Sequence, residues 1–379
     1  MRVVQEVFDD YRSQTWNLAA LQELQPHLVL AFGSIEFFGS NGFADSLRST
    51  FSDAVVVGCS TAGEITFDGV RERSCVVTAM SFDHTHVGVV HEQVMSVTDS
   101  KTAGQSLGRQ LEAPDLCAIL VFSKGLDING SDLISGILEC VSPEIPIAGG
   151  LAGDNGLFQK TAVLTPSGVF DDQVVAVGLY GNRLNTSCGS FGGWLPFGPV
   201  RKVTHAQGNM LYELDGEPVL AMYKRYLGDY AKDLPASGLL FPFEMLNENY
   251  DSVGIIRTIL GVNETDGSLM LAGSVAEQGF LRLMHASPDA LVRGAEQAVG
   301  AALGGVQSRA EFALLVSCVG RKLVMGEQTD DEIDAVVGHL PHEITVSGFY
   351  SYGEICPLQG SHVCHLHNQT MTVTIFSEA

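Results

Sequence analysis

The sequence predicts an α/β (α+β) fold: repeated strand-helix-strand-turn-hairpin units forming mixed sheets flanked by helices, in two modules. Three observations predict it. An apolar strand followed by Gly, four residues and Gly-Glu-Ile occurs twice, at Val55-Val56-Val57-Gly58-Cys59-Ser60-Thr61-Ala62-Gly63-Glu64-Ile65 and at Ile344-Thr345-Val346-Ser347-Gly348-Phe349-Tyr350-Ser351-Tyr352-Gly353-Glu354-Ile355. A looser third copy, Ile145-Pro146-Ile147-Ala148-Gly149-Gly150-Leu151-Ala152-Gly153-Asp154, puts Ala148 for the first Gly and Asp154 for the Glu. Ala118 follows Leu28, and Ala148 follows Gly58, by the same 90 positions, so residues 28–93 and 118–181 read as two copies of one unit.

The elements follow in order. A lead-in with helical spacing around Thr15 to Leu24 precedes the apolar run Leu28 to Phe32, a central strand. A helix near Gly42 to Thr50 and the first turn come next. Ser74 to Phe82 and Thr85 to Gln93 read as a hairpin turning at Asp83-His84. Asp99 is placed to cap a helix through Leu111, with Ala103, Leu107 and Leu111 on one face. Ala118 to Phe122 is a second central strand, Ser131 to Val141 an amphipathic helix, and residues 163–181 a second hairpin. Residues 182–200 change character: Gly192-Gly193-Trp194-Leu195-Pro196-Phe197-Gly198-Pro199 reads as a linker or as a pocket wall built on Trp194. The modules are therefore placed at 1–190 and 191–379.

In the second module, short strands at Val203 to His205 and Met210 to Leu214 precede a helix opened by Pro218. Residues 253–284 read as three short strands. Ser287-Pro288 starts an Ala-rich helix ending at Gly304-Gly305. Phe312 to Ser317 repeats the first strand. Thr329-Asp330-Asp331-Glu332 reads as a capping box for a helix to Leu340. The last turn and a strand from Gln369 to Phe376 complete a third unit.

Composition narrows the function. The 379 residues carry a net charge of −23, which repels nucleic-acid phosphates and anionic membrane surfaces. Hydrophobic residues make up 45%, enough for sizeable cores. Met1-Arg2-Val3-Val4-Gln5-Glu6 lacks the layout of a signal peptide, and no run of 18 apolar residues occurs, so a cytoplasmic protein without membrane insertion is expected. The eight cysteines form no C-x-x-C and no disulfide framework. A homo-oligomer is compatible with the sequence, which says nothing about its size.

The glycines of each turn allow positive φ or close approach, and the acidic residue behind them is held at a strand end, where scaffolds place binding groups. Gly and acidic residues also build tight turns with no further role. Ligand-binding candidates are Cys59, Ser60, Thr61, Glu64, Trp194, Tyr350, Tyr352 and Glu354. Gly58-Cys59-Ser60-Thr61-Ala62 is a near miss to the G-x-S-x-G nucleophile elbow, but Phe67-Asp68-Gly69-Val70 does not continue as the required helix. A hydrolase using Ser60 or Cys59 is thus the lesser alternative, and the chain is expected not to be an enzyme.

The Gly-Cys-Ser-Thr-Ala-Gly-Glu-Ile stretch and Ile147 to Asp154 resemble the N-terminal half of the FIST family. Gly193-Trp194, Phe197-Gly198-Pro199, Asp215-Gly216-Glu217-Pro218, Gly348 to Ile355 and His367-Asn368-Gln369-Thr370 resemble its C-terminal module. The resemblance covers nearly the whole chain in the family's order. It implies a cytoplasmic sensor that binds a small ligand and regulates a separate signalling enzyme, a histidine kinase or a cyclic-di-GMP enzyme (diguanylate cyclase or phosphodiesterase). Some family members bind haem b and sense nitric oxide; others are thought to bind amino acids or similar metabolites without haem.

A haem sensor needs an axial ligand, usually histidine, beside an apolar cleft. Of 11 histidines the densest group is His362-Val363-Cys364-His365-Leu366-His367, where strand alternation puts His365 and His367 on one face. With His205, which lies near Trp194 in sequence, these are the metal candidates.

Overall fold

A computed structural model describes every residue except 14, 40, 41, 307 and 359. It is a mixed α/β structure in which three parallel strand-crossover-strand units recur. Leu28–Gly33 pairs with Val55–Ser60, Leu116–Ser123 with Ile147–Leu151, and Phe312–Cys318 with Thr345–Ser351. Their crossover helices are Phe43–Thr50, Gly130–Leu138 and Thr329–Val337. Each first strand also carries an antiparallel neighbour: Cys75–Ser81, Gln173–Tyr180 and Met371–Glu378.

The sheets are completed by exchange. The hairpin after each Gly-Glu or Gly-Asp turn leaves its own unit and extends another. Glu64–Thr66 pairs with Thr345–Ser351, Val163–Thr165 with Val55–Ser60, and Gly353–Pro357 with Ile147–Leu151. Three six-stranded sheets result, all built to one plan.

This exchange overturns the hairpin expected over residues 74–93. Cys75–Ser81 is flanked by Arg2–Phe8 and Leu28–Gly33, so neither of its edges is free. His86–Gln93 instead crosses to the second sheet and pairs with Gln173–Tyr180. Over residues 163–181 the hairpin is only Val163–Thr165 with Gly168–Phe170, and Gln173–Tyr180 departs for the second sheet.

The inner faces of the sheets meet in one core. The rings of Phe32, Phe122 and Phe349, one from each sheet, lie 4.7–6.3 Å apart between centroids. Leu30, Val57, Leu120, Val177, Leu314 and Val316 surround them. The first glycine of the turn motif serves this packing: a Cβ on Gly58 or Gly348 would stand 1.8 Å from the carbonyl oxygen of Ala31 or Leu315. In the second unit Gly149 holds that position against Val121, 2.0 Å by the same measure, so Gly149 rather than Ala148 is the equivalent of Gly58.

Between the second and third units lies a sheet of antiparallel strands with its own core, including Val203, Leu211, Tyr223, Phe243 and Leu281. The stretch read as a linker opens it. Leu195–Gln207 is one strand paired with Phe280–His285, and its prolines fall where the register shifts, the place a strand tolerates a missing donor. Residues 312–378 then return to the three-sheet body.

Three caps differ from expectation. Asp99 accepts from Ser96 N at 2.9 Å and closes the short turn before the helix Ser100–Leu111. Thr329 donates to Gly326 O, and Glu332 turns inward, so no capping box forms there. Pro218 lies just outside its helix, Val219–Leu227. Ser287 does cap Pro288–Gly304, accepting from Ala290 N at 3.4 Å. Among the described residues no helix is long and apolar enough to cross a membrane.

Candidate functional site

The acidic turns are sealed. Glu64 accepts hydrogen bonds from Thr61 Oγ1 and from Ser74 Oγ at 2.7 Å. Glu354 repeats this, accepting from Ser351 Oγ at 3.0 Å, Thr370 Oγ1 at 2.8 Å and Thr370 N at 3.0 Å. Each carboxylate therefore ties its turn to the residue that opens the unit's antiparallel strand. Burial raises both to about 7, against the pull of these hydrogen bonds. Asp154 accepts from the backbone N–H groups of Phe158, Gln159 and Lys160 at 2.7–2.8 Å and from Tyr352 Oη.

The candidates around the first turn are equally enclosed. Ser60 Oγ donates to Gly153 O at 2.7 Å and accepts from Ala162 N at 2.8 Å. Among the described residues no histidine hydrogen-bonds it. Cys59 is fully buried, and burial pushes its thiol well up. Neither side chain is placed as an activated nucleophile.

Trp194 is different. It lines a cleft of about 560 Å³ with Phe191, Ile256, Met284 and Leu358. Gly193, at φ +75°, turns the chain so that the indole folds in, and Trp194 Nε1 donates to Gln369 O at 2.9 Å. Its polar lining is Ser190, Ser252, Thr370, which is bonded to Glu354, and Glu244, which is paired with Arg282 at 2.7 Å. The walls come from the strand Leu184–Phe191, which pairs with Met371–Glu378 at the edge of the third sheet, from the inserted sheet that follows it, and from Leu358 and Thr370 of the third unit.

Beneath this cleft runs a polar network that the sequence did not disclose. Arg321, 0% exposed, forms an ion pair with the equally buried Glu332. Arg321 also donates to Leu291 O at 2.8 Å and to the carbonyls of Gly192 and Gln369. Glu332 accepts from Ser317 Oγ at 3.0 Å and Tyr350 Oη at 2.9 Å. Tyr350 thus belongs to this network, and Tyr352 to the Asp154 turn. A clue existed: Glu332 lies between the apolar positions Ile333 and Val336 of one short helix and the buried strand ahead of it.

The three metal candidates are not brought to one point. His205 stacks on Tyr212 at 4.6 Å in the inserted sheet. His367 is enclosed, Nε2 is 3.0 Å from Cys356 O, and burial pushes it down to about 4. Its Nδ1 has no partner among the described residues and opens on none of the clefts described here. His365, half-buried, lines a second pocket of about 330 Å³, lowered by burial and by Arg257 beside it. Among the described residues no cluster of three potential ligands forms. For one of these histidines to hold haem it would have to open on an apolar cleft. The Trp194 cleft has none in its described lining, and the pocket at His365 has a buried cation for a wall, so these residues do not fit haem.

Residues 27–217 match the FIST N domain and residues 220–357 the FIST C domain. An uncharacterized protein of Methanocaldococcus jannaschii is 28% identical over 193 residues, covering 47% of this chain. This chain spans 36% of that protein's length. A solved structure, the cyanuric acid hydrolase from A. caulinodans, superposes over 100% of this chain and 99% of its own at 10% identity, with a TM-score of 0.39.

Proposed function

The chain belongs to the FIST family, whose domains are small-ligand sensors of signalling proteins, and from that premise we propose that it binds a small organic molecule in the Trp194 cleft and reports it to a separate signalling enzyme, a histidine kinase or a cyclic-di-GMP enzyme. The observation that carries this reading is where the cleft lies. Its walls are contributed by the inserted sheet and by the third sheet, through Ser190, Phe191 and Thr370, so an occupant touches both at once. A molecule that fits one arrangement of these parts better than another shifts the population between them.

The lining suits a largely apolar ligand with one hydrogen-bonding or cationic group. Trp194, Ile256 and Met284 supply the apolar surface, Glu244 supplies carboxylate acceptors and Ser252 a hydroxyl. Under this reading the chain transduces and does no chemistry of its own. Haem b with nitric oxide sensing is the alternative, one that His205, His365 and His367 do not support. An absorption spectrum of protein produced with haem precursor decides it: a Soret band that moves with nitric oxide would support haem and displace the apolar-ligand reading.

The test of the cleft uses Trp194 itself. In a Trp16→Phe variant the remaining tryptophan reports on the cleft. Metabolites that raise the melting temperature are expected to change its fluorescence, and Trp194→Ala to lose the thermal response. At a ligand concentration of 100 Kd the parent gains about 2.7 kcal/mol. Ligands that stabilise Trp194→Ala as much as the parent would place binding elsewhere.

A further inference from the structure

We propose that the pocket between the helix Gly130–Leu138 and the strand Cys364–His367 binds a small oxyanion, a carboxylate or phosphate, on the guanidinium of Arg257. This site is distinct from the Trp194 cleft, and the proposal does not depend on what that cleft binds. The two are back to back on one strand. In Ser252–Arg257, Ile256 lines the Trp194 cleft and Arg257 lines this pocket, as alternation along a strand requires.

The argument is one of charge. Arg257 is 4% exposed, and a guanidinium stays charged in a protein. All of its hydrogen bonds go to neutral acceptors: Ser274 O at 3.0 Å, Ile256 O and Leu366 O at 3.1 Å, and Ser131 Oγ at 3.3 Å. Among the described residues no carboxylate reaches it, whereas Arg321, equally deep, has Glu332. A buried charge without a counter-charge is costly, and carbonyl dipoles compensate it only in part. An anion entering the pocket would complete the pair.

The pocket can receive one. Its volume of about 330 Å³ is at the small end for ligand sites, which suits a small molecule. Ser131 and Ser135 offer hydroxyls and His365 an imidazole N–H. Two acidic residues are nearby and both are already engaged. Glu139, on the rim, pairs with Lys101 at 2.7 Å and accepts from Gln105 at 2.6 Å, and Asp132 accepts from Asn129 Nδ2 at 2.8 Å. Four of the five guanidinium N–H donors are engaged by the neutral acceptors above, which leaves one Nη2 donor, with the full positive charge behind it, for an oxygen of a carboxylate or phosphate.

The experiment is thermal denaturation and calorimetric titration of the full chain with succinate, acetate and inorganic phosphate, each against sodium chloride at equal ionic strength. A saturable rise in melting temperature with at least one oxyanion and none with chloride is expected. The preferred probe identifies the source as carboxylate or phosphate. Arg257→Lys keeps the charge but loses the Nη2 donor and the shape that holds it in place, and is expected to weaken binding at least tenfold. Trp194→Ala is expected to leave it unchanged, which separates this site from the cleft. The proposal is overturned if no oxyanion acts beyond chloride, or if Arg257→Lys binds as tightly as the parent. Should Arg257→Lys fail to fold, Ser131→Ala with Ser135→Ala is read in its place, and unchanged affinity there equally overturns it.

Discussion

Arg321 and Arg257 are the two arginines that the described fold encloses, and they are held in opposite ways. Arg321 has a carboxylate, Glu332, and joins it to three backbone carbonyls from separate segments. Arg257 has only neutral acceptors and a pocket. The first is complete without any ligand and fastens the floor of the Trp194 cleft. The second is a charge whose best partner is not in the chain. Enclosure alone therefore does not distinguish a structural group from a binding group; whether its charge is already answered does.

The largest effect tests the complete pair. Glu332→Ala leaves Arg321 buried and unpaired and is expected to cost about 3–5 kcal/mol, read from the urea midpoint. A cost below about 1 kcal/mol would mean that carbonyls suffice for a buried guanidinium. The contrast with Arg257 would then lose its force.

A second test concerns the sealed turns, which resemble Arg257 in holding a titratable group in the interior but differ in having every partner supplied. Glu64 and Glu354 titrate near 7 when folded, against an ordinary 4.5. Between those values the folded state keeps a proton that the unfolded chain has released. The stability this gives is complete below pH 4.5 and is lost as pH rises through 7. His367, at about 4 against 6.5, works the other way, its share being lost as pH falls. Lys322, whose charge acts on Glu64, and Arg321, whose charge acts on Glu354, both oppose the rise. The two carboxylates outweigh the single histidine, so unfolding free energy is expected to fall from pH 5 to pH 8 by up to roughly 3 kcal/mol per carboxylate. Glu64→Gln and Glu354→Gln should each flatten that slope. An unchanged slope in both variants would show that these carboxyls titrate normally.

The same contrast explains what the sequence disclosed. The apolar runs Leu28–Gly33, Leu116–Ser123 and Phe312–Cys318 were legible because buried parallel strands are continuous in hydrophobicity, and their repetition made the units legible too. The exchange of hairpins was not. Glu64–Thr66 pairs with a strand some 280 positions away, and periodicity names no partner. The acidic turns drew attention because they repeat, and they repeat because they hold the architecture. Trp194 was legible from the Gly and Pro around an aromatic. Arg257 left one trace, a cation closing the strand Ser-Val-Gly-Ile-Ile-Arg, whose meaning depends on a helix more than a hundred residues earlier.

The smallest effect sharpens the comparison most. Arg321→Met strands Glu332 in the core and should cost several kcal/mol, close to Glu332→Ala. Arg257→Met strands no charge. It gives up hydrogen bonds to neutral acceptors and relieves the burial of a cation, so without added anion its unfolding free energy should stay within about 1 kcal/mol of the parent. Its response to oxyanions should vanish. The same substitution at two equally enclosed arginines would then separate structure from binding: a large loss with no ligand dependence at 321, and a small one with complete loss of ligand dependence at 257. If Arg257→Met proves as destabilising as Arg321→Met, the carbonyls of Ile256, Leu366 and Ser274 are holding a structural cation, and the two arginines are alike.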